Sequence, residues 1–119
     1  MGIIEFSIAK EFSETPGGRY WKDFSPFSGE EFYKTKLLPL FLKAKKENKQ
    51  IVIDLNGTYG YASSFLDESF GKLVRVYGIT ETKNILSFKS YLNTIIEDID
   101  FIMNKAELEY LKKGEKNEE

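Results

Sequence analysis

The sequence predicts an α/β domain, and three observations carry that prediction. A nearly continuous apolar run, Ile51-Val52-Ile53 with Leu55, has the β-branched character of a central strand. Before and after it, apolar residues recur at the three-four spacing of amphipathic helices. A further short apolar run at Ile85, Leu86 and Phe88 leads into a long helical stripe, so strands and helices alternate. Such alternation favours parallel strands joined by right-handed crossovers, with helices shielding the sheet.

Ile4, Phe6 and Ile8 alternate with Glu5 and Ser7, the pattern of a half-buried first strand. The next stretch, 12–27, is turn-rich. Its Thr15-Pro16-Gly17-Gly18-Arg19 run predicts a hairpin or loop, with Arg19-Tyr20-Trp21 as a candidate short strand. Ser28-Gly29-Glu30-Glu31 has the spacing of a capping box, in which the serine oxygen accepts from the third helical amide. The helix it opens is expected to run to about Asn48, with Leu37, Leu40, Phe41 and Ala44 on its buried face and Phe32 near its start. Pro39 cannot donate to the helical ladder, so a bend is expected about one turn earlier.

After the central strand, Leu66, Phe70, Leu73, Val74 and Tyr77 predict a second helix from about Ser64 to Tyr77. Gly71 inside it costs about 1 kcal/mol against alanine, which implies close packing against a neighbour. Gly78 supplies the stop, with Ile79 placed for the accompanying apolar contact. The third helix carries Leu92, Ile95, Ile96, Ile99, Ile102, Met103 and Ala106 on one face. One domain over residues 1–112 is expected, followed by a charged, Gly-containing tail, 113–119, expected to be disordered.

Composition narrows the function. Seventeen basic and nineteen acidic side chains give a formal charge of -2, with no broad attraction to nucleic acid or anionic lipid. The densest basic run, Lys43, Lys45, Lys46 and Lys49, falls at a predicted helix end, where it complements the dipole. The absence of Cys and His removes thiolate nucleophiles, zinc-thiolate sites and the usual general base near neutral pH. The N-terminal residues do not have the pattern of a signal peptide and no apolar run approaches a membrane span, so a cytoplasmic location is expected. No cofactor is expected.

Set on this alternation, three stretches resemble the bacterial STAS-like domain family of unknown function: Thr15 to Arg19, Ser28 to Phe32, and the long block from Ile53 through Ser63-Ser64 to Glu68. The likeness spans nearly the whole chain. It implies a relation to STAS domains, the fold of anti-sigma factor antagonists, with a mixed sheet of about four to five strands backed by three main helices. It also implies a protein partner, a histidine-kinase-like ATPase or anti-sigma-type kinase, docking near the second helix in a bacterial regulatory or defence system. In STAS antagonists that kinase phosphorylates a serine at the helix start, within an Asp-Ser-Ser-Gly-like sequence. Matching strand ends puts Ser63 at the phosphoacceptor position, with Ser64 as the alternative; Ala62 stands where the acid belongs and Phe65 where the glycine belongs.

Other readings of the same block compete. Ser63 or Ser64 can be a plain helix cap, and Ser64 with Asp67 has capping-box spacing. Asp67 and Glu68 in the first turn already compensate the dipole and would repel a phosphate. Asp54-Leu55-Asn56-Gly57-Thr58 looks like the first motif of haloacid dehalogenase-type phosphatases, with Asp54 as nucleophile, but Asn56 occupies the proton donor's place and an amide cannot protonate a leaving group. Glu97, Asp98 and Asp100, the later acids, fall inside the predicted third helix.

A regulatory, non-enzymatic protein-binding module is therefore expected, with a constitutive adaptor as the alternative. Its docking edge is expected at Tyr59, Gly60, Tyr61, Ser63, Ser64 and Asp67, beside the strand-end Asp54. Arg19 is a candidate anchor, since a guanidinium next to turn amides can hold a carboxylate or phosphate. Tyr20, Trp21, Phe24 and Phe27, with Tyr59 and Tyr61, could line a recognition surface or equally close the sheet edge.

Overall fold

The computed structural model describes residues 2–20, 22 and 26–118, with side chains as far as 113. Strand β1 spans Ile3–Ser7, β2 Gln50–Asp54 and β3 Leu86–Lys89. They pair in the order β1-β2-β3, and both pairings are parallel. Among the described residues the sheet thus has three strands, where four to five in a mixed arrangement were expected. The turn-rich 12–20 segment supplies no strand to it. It closes instead as a loop, with the Gly17 amide on the Phe27 carbonyl at 2.8 Å and the Glu30 amide on the Arg19 carbonyl at 2.9 Å. Trp21 and Phe24 lie outside the described residues.

β1 ends one residue sooner than its alternation implied. The Ser7 oxygen accepts from the Lys10 amide and opens a single helical turn, α1, over Ile8–Glu11. Ile8 is nevertheless fully buried. The first long helix, α2, is built of contiguous pieces: Gly29–Phe32, a π turn at Tyr33–Leu37, and Leu38–Glu47. Ser28 caps it, accepting from the Glu31 amide at 3.1 Å as its spacing predicts. The irregularity expected one turn before Pro39 takes the form of that π turn, in which the Leu38 amide reaches back to the Tyr33 carbonyl. Asn48 ends the helix in the left-handed conformation at φ 56°.

The second long helix, α3, runs through Ser63–Leu66, a second π turn at Asp67–Gly71, and Lys72–Tyr77. Its stop is Gly78, at φ 87°, but Ile79 does more than pack: it begins a further helix, α4, over Ile79–Ile85. The periodicity missed α4, and Ile85 is its last residue rather than the first of β3. The C-terminal helix, α5, spans Asn93–Glu118. Ile99, Met103 and Ala106 are its buried residues, Ile95, Ile96 and Ile102 are half-buried, and Leu92 lies before it and is exposed.

Register explains where the core sits. Ile4, Ile51 and Leu86 form one row across the sheet, and Phe6, Ile53 and Phe88 the next, all on the helix-covered face. Glu5, Val52 and Ser87, then Ser7, Asp54 and Lys89, form the rows of the other face, where none of the residues is fully buried. One covered face is unusual for a parallel sheet, and the polarity of the open rows is what permits it. Phe32 is the hub of the covered side. Its ring lies 5.1 Å from Phe12, 5.5 Å from Phe65, 5.8 Å from Phe70 and 6.1 Å from Phe6, joining α2 to α3 and to β1.

Two glycines permit this closeness. A Cβ on Gly29 would sit 2.6 Å from the Phe65 carbonyl oxygen, so the starts of α2 and α3 touch there. A Cβ on Gly71 would meet Asp67 Oδ1 at 2.8 Å and Ile102 at 3.2 Å, which is the close packing its place in the helix implied.

Candidate functional site

The loop joining β2 to α3 leaves the sheet at Leu55 and is fixed at several points. Asp54 Oδ1 accepts the Asn56 amide at 2.9 Å, a local turn that follows from an aspartate placed two residues before an amide. Gly57 takes φ 93° and Gly60 φ 142°, conformations that side chains resist. The Tyr59 amide donates to the Glu14 carbonyl at 2.9 Å, tying the loop to the 12–20 segment. Tyr61 then folds back. Its hydroxyl donates to the Leu55 carbonyl at 2.9 Å, its ring lies 6.0 Å from Phe65, and burial pushes its pKa up to about 12, against a smaller opposing effect of a hydrogen bond with the Thr58 side chain. Tyr59, in contrast, is 88% exposed. The two tyrosines expected to share a docking edge therefore have different environments: one closes the loop and the other projects from it.

Neither serine caps α3. Ala62 occupies the cap, with extended backbone angles and no side-chain hydrogen bond, and Ser63 and Ser64 are the first two helical residues. Ser63 is exposed and Ser64 half-buried. The cap reading and the Ser64–Asp67 capping box are thus corrected, because Asp67 is drawn elsewhere. Its Oδ2 receives Arg19 Nη1 at 2.6 Å and its Oδ1 receives Arg75 Nη1 at 2.9 Å, while Arg75 Nη2 donates to the Asp67 carbonyl at 3.0 Å. The π turn beginning at Asp67 makes the last contact accessible, since the Asp67 carbonyl also accepts the Lys72 amide five residues on.

Partial burial pushes the Asp67 carboxyl up, but the hydrogen bonds and charges of Arg19 and Arg75 outweigh it and hold the group below the usual carboxylate range. The Asp67 hydrogen bond likewise raises Arg19, against partial desolvation. Glu68, expected to add negative charge at the helix start, is buried and lies 3.4 Å from Arg19 and 3.7 Å from Lys72. The two acids that would repel an arriving phosphate are therefore both met by cations.

Arg19, Ser63, Ser64 and Asp67 share one groove of about 500 Å³ between the start of α3 and the middle of α5, which contributes Phe101 and Lys105. Phe101 is 70% exposed. Sequence reasoning did not find the contribution of α5 or of Arg75, since no local spacing links either to Ser63. Asp54 lies apart, in a separate depression with Ser7, Lys10 and Lys89 at the carboxyl ends of the strands. The structure thus brings together four of the candidate residues, hangs Tyr59, Gly60 and Tyr61 on the connecting loop, and leaves Asp54 outside. Of the candidate aromatics, Phe27 packs edge-on against Phe12 at 5.7 Å, and Tyr20 lies beneath Lys22 at 5.0 Å.

A three-stranded parallel sheet joined by helical crossovers is an α/β arrangement consistent with a STAS-like fold. A family profile described as the STAS-like domain of unknown function (DUF4325) matches residues 28–95, more than half of the chain, and the protein belongs to that family. The match begins at the Ser28 cap and ends in the first turn of α5, so Arg19 lies outside it. Searches of curated proteins and of solved structures returned no match. Among the described residues, no helix is long and apolar enough to cross a membrane.

Proposed function

We propose that this chain is a non-enzymatic regulatory module that binds a protein partner through the Tyr59 to Leu66 loop and helix start. The observation that carries this reading is the contrast within the loop. A segment locked by Tyr61, Asp54 and the Glu14 carbonyl presents Tyr59 almost wholly to solvent. An aromatic held out on a rigid loop contributes large contact area at little entropic cost, the character of an interface anchor. The family resemblance supports a histidine-kinase-like ATPase as the partner.

Phosphorylation of Ser63 is a second reading, favoured by one observation. Ser63 is exposed on the first turn of α3, in a groove where Arg19 and Arg75 already offset Asp67. A constitutive adaptor would use the same surface without modification.

A pull-down from the source cell with intact-mass measurement of the recovered protein tests these together. Docking through the loop requires that Tyr59→Ala lose the partner while its melting curve stays that of the parent. Retention of the partner by Tyr59→Ala would refute the surface. An added phosphate that disappears in Ser63→Ala supports the switch, and partner recovery at unmodified mass supports the adaptor.

A further inference from the structure

The outer side of β3 carries strand-pairing groups turned away from the sheet. Among the described residues β3 has β2 as its one neighbour. The Leu55 amide donates to the Lys89 carbonyl at 2.9 Å, so the backbone groups of Lys89 face β2. Alternation along a strand turns the amide and carbonyl of Phe88 the opposite way. The Leu86 amide donates to the Thr82 carbonyl at the end of α4, which leaves its carbonyl on the outer side.

Beside this edge lies a cavity of about 260 Å³, walled by Leu86, Phe88, Ile96, Ile99 and Met103. Lys83 and Asp100, paired at 2.5 Å, stand at its rim. It shares no lining residue with the Ser63 groove.

We propose that the β3 edge and this cavity form a docking site for an extended segment of a partner protein in which apolar residues alternate with acidic ones. The free backbone groups call for a strand, because only an extended chain offers donors and acceptors at matching intervals. A strand laid there points every second side chain to the covered face, beside Leu86 and Phe88, where the cavity has room for an aliphatic group. The intervening side chains stand on the open face next to Ser87 and Lys89. Lys89 is 54% exposed and meets Glu5 only at 3.9 Å, so a carboxylate on the added strand is favoured there and a cation disfavoured. A second copy of the chain fits less well, since its own β3 brings another Lys89 and no acid.

Titration of the 15N-labelled protein with the peptide acetyl-Glu-Val-Glu-Leu-Glu-Val-amide tests the site. Saturable shifts at Leu86 to Lys89 and at Ile96, Ile99 and Met103 are expected, with slowed exchange of the Phe88 amide. Lys89→Glu, at an exposed position, should weaken binding about three-fold or more, and replacing the peptide's glutamates by lysine should reverse the preference. Equal binding by a peptide of the same composition with its valines and leucine in one block would overturn the proposal. So would shifts without protection at Phe88, no saturable shift at all, or sedimentation showing that the protein already pairs with itself through this edge. The Tyr59 surface is untouched by any of these results.

Discussion

Arg19 and Asp67 stand 48 positions apart in the chain, yet Arg19 Nη1 lies 2.6 Å from Asp67 Oδ2. The contact fastens the loop before α2 to the π turn of α3, and Arg75 holds the other oxygen of the same carboxylate. Its two members are about one-third exposed, 33% and 32%, so solvent screens the pair and a double-mutant cycle of Arg19→Ala and Asp67→Ala should give a coupling below about 1 kcal/mol.

Asp67→Ala should cost more than Arg19→Ala, by urea denaturation about 1–2 kcal/mol against about 1 kcal/mol or less. The reason is that removing Asp67 strips Arg75, which is only 18% exposed, of its closest charged partner. The pH dependence follows from the same contact. The folded pKa of Asp67 lies below its ordinary value of 3.8, so the contribution is fully present above that value and is lost as pH falls through the lower, folded one. Asp67→Asn should therefore flatten the acid limb of the stability curve.

Tyr61→Phe should destabilise the protein by about 1 kcal/mol, since it orphans the Leu55 carbonyl without opening a cavity. In the parent, burial keeps the Tyr61 phenol neutral up to about pH 12, so that stability is present below its ordinary pKa of 10.0 and is lost as pH rises between the two. Ultraviolet titration of parent against variant should place the missing phenolate at the late end of the curve.

Ser28→Ala and Ser63→Ala separate a cap from a surface serine. Ser28 is buried and accepts the Glu31 amide, so its loss should cost about 1 kcal/mol. Ser63 is exposed and Ala62 is the cap, so its loss should change the unfolding free energy by less than about 0.5 kcal/mol.

Gly29→Ala should destabilise by about 1–3 kcal/mol, although alanine is the better helix former. The added methyl would meet the Phe65 carbonyl oxygen at 2.6 Å, and backbone cannot step aside as a flexible side chain can. Thermal or urea unfolding decides it, and a stabilised variant would show that the helix starts can separate.

Apolar periodicity and cap chemistry are properties of short stretches, which is why the strand at Ile51 to Ile53, the Ser28 cap, the stripes of α3 and α5, and the irregularity ahead of Pro39 were all legible in the order of residues. A period cannot be read in seven residues that end where a strand begins, so α4 stayed hidden. The parallel sense was expected from the alternation, but the restriction of the sheet to three strands among the described residues depends on segments tens of residues apart. The membership of the Ser63 groove emerges in three dimensions alone. Arg19, Arg75 and Phe101 arrive there from a loop, a later turn of α3 and the C-terminal helix, where Gly29 lets the starts of α2 and α3 touch and Gly71 leaves room for the side chains of Asp67 and Ile102. Local spacing fixes which face a residue takes, but the energy that brings distant faces together comes from burying them jointly, and that is a property of the assembled core.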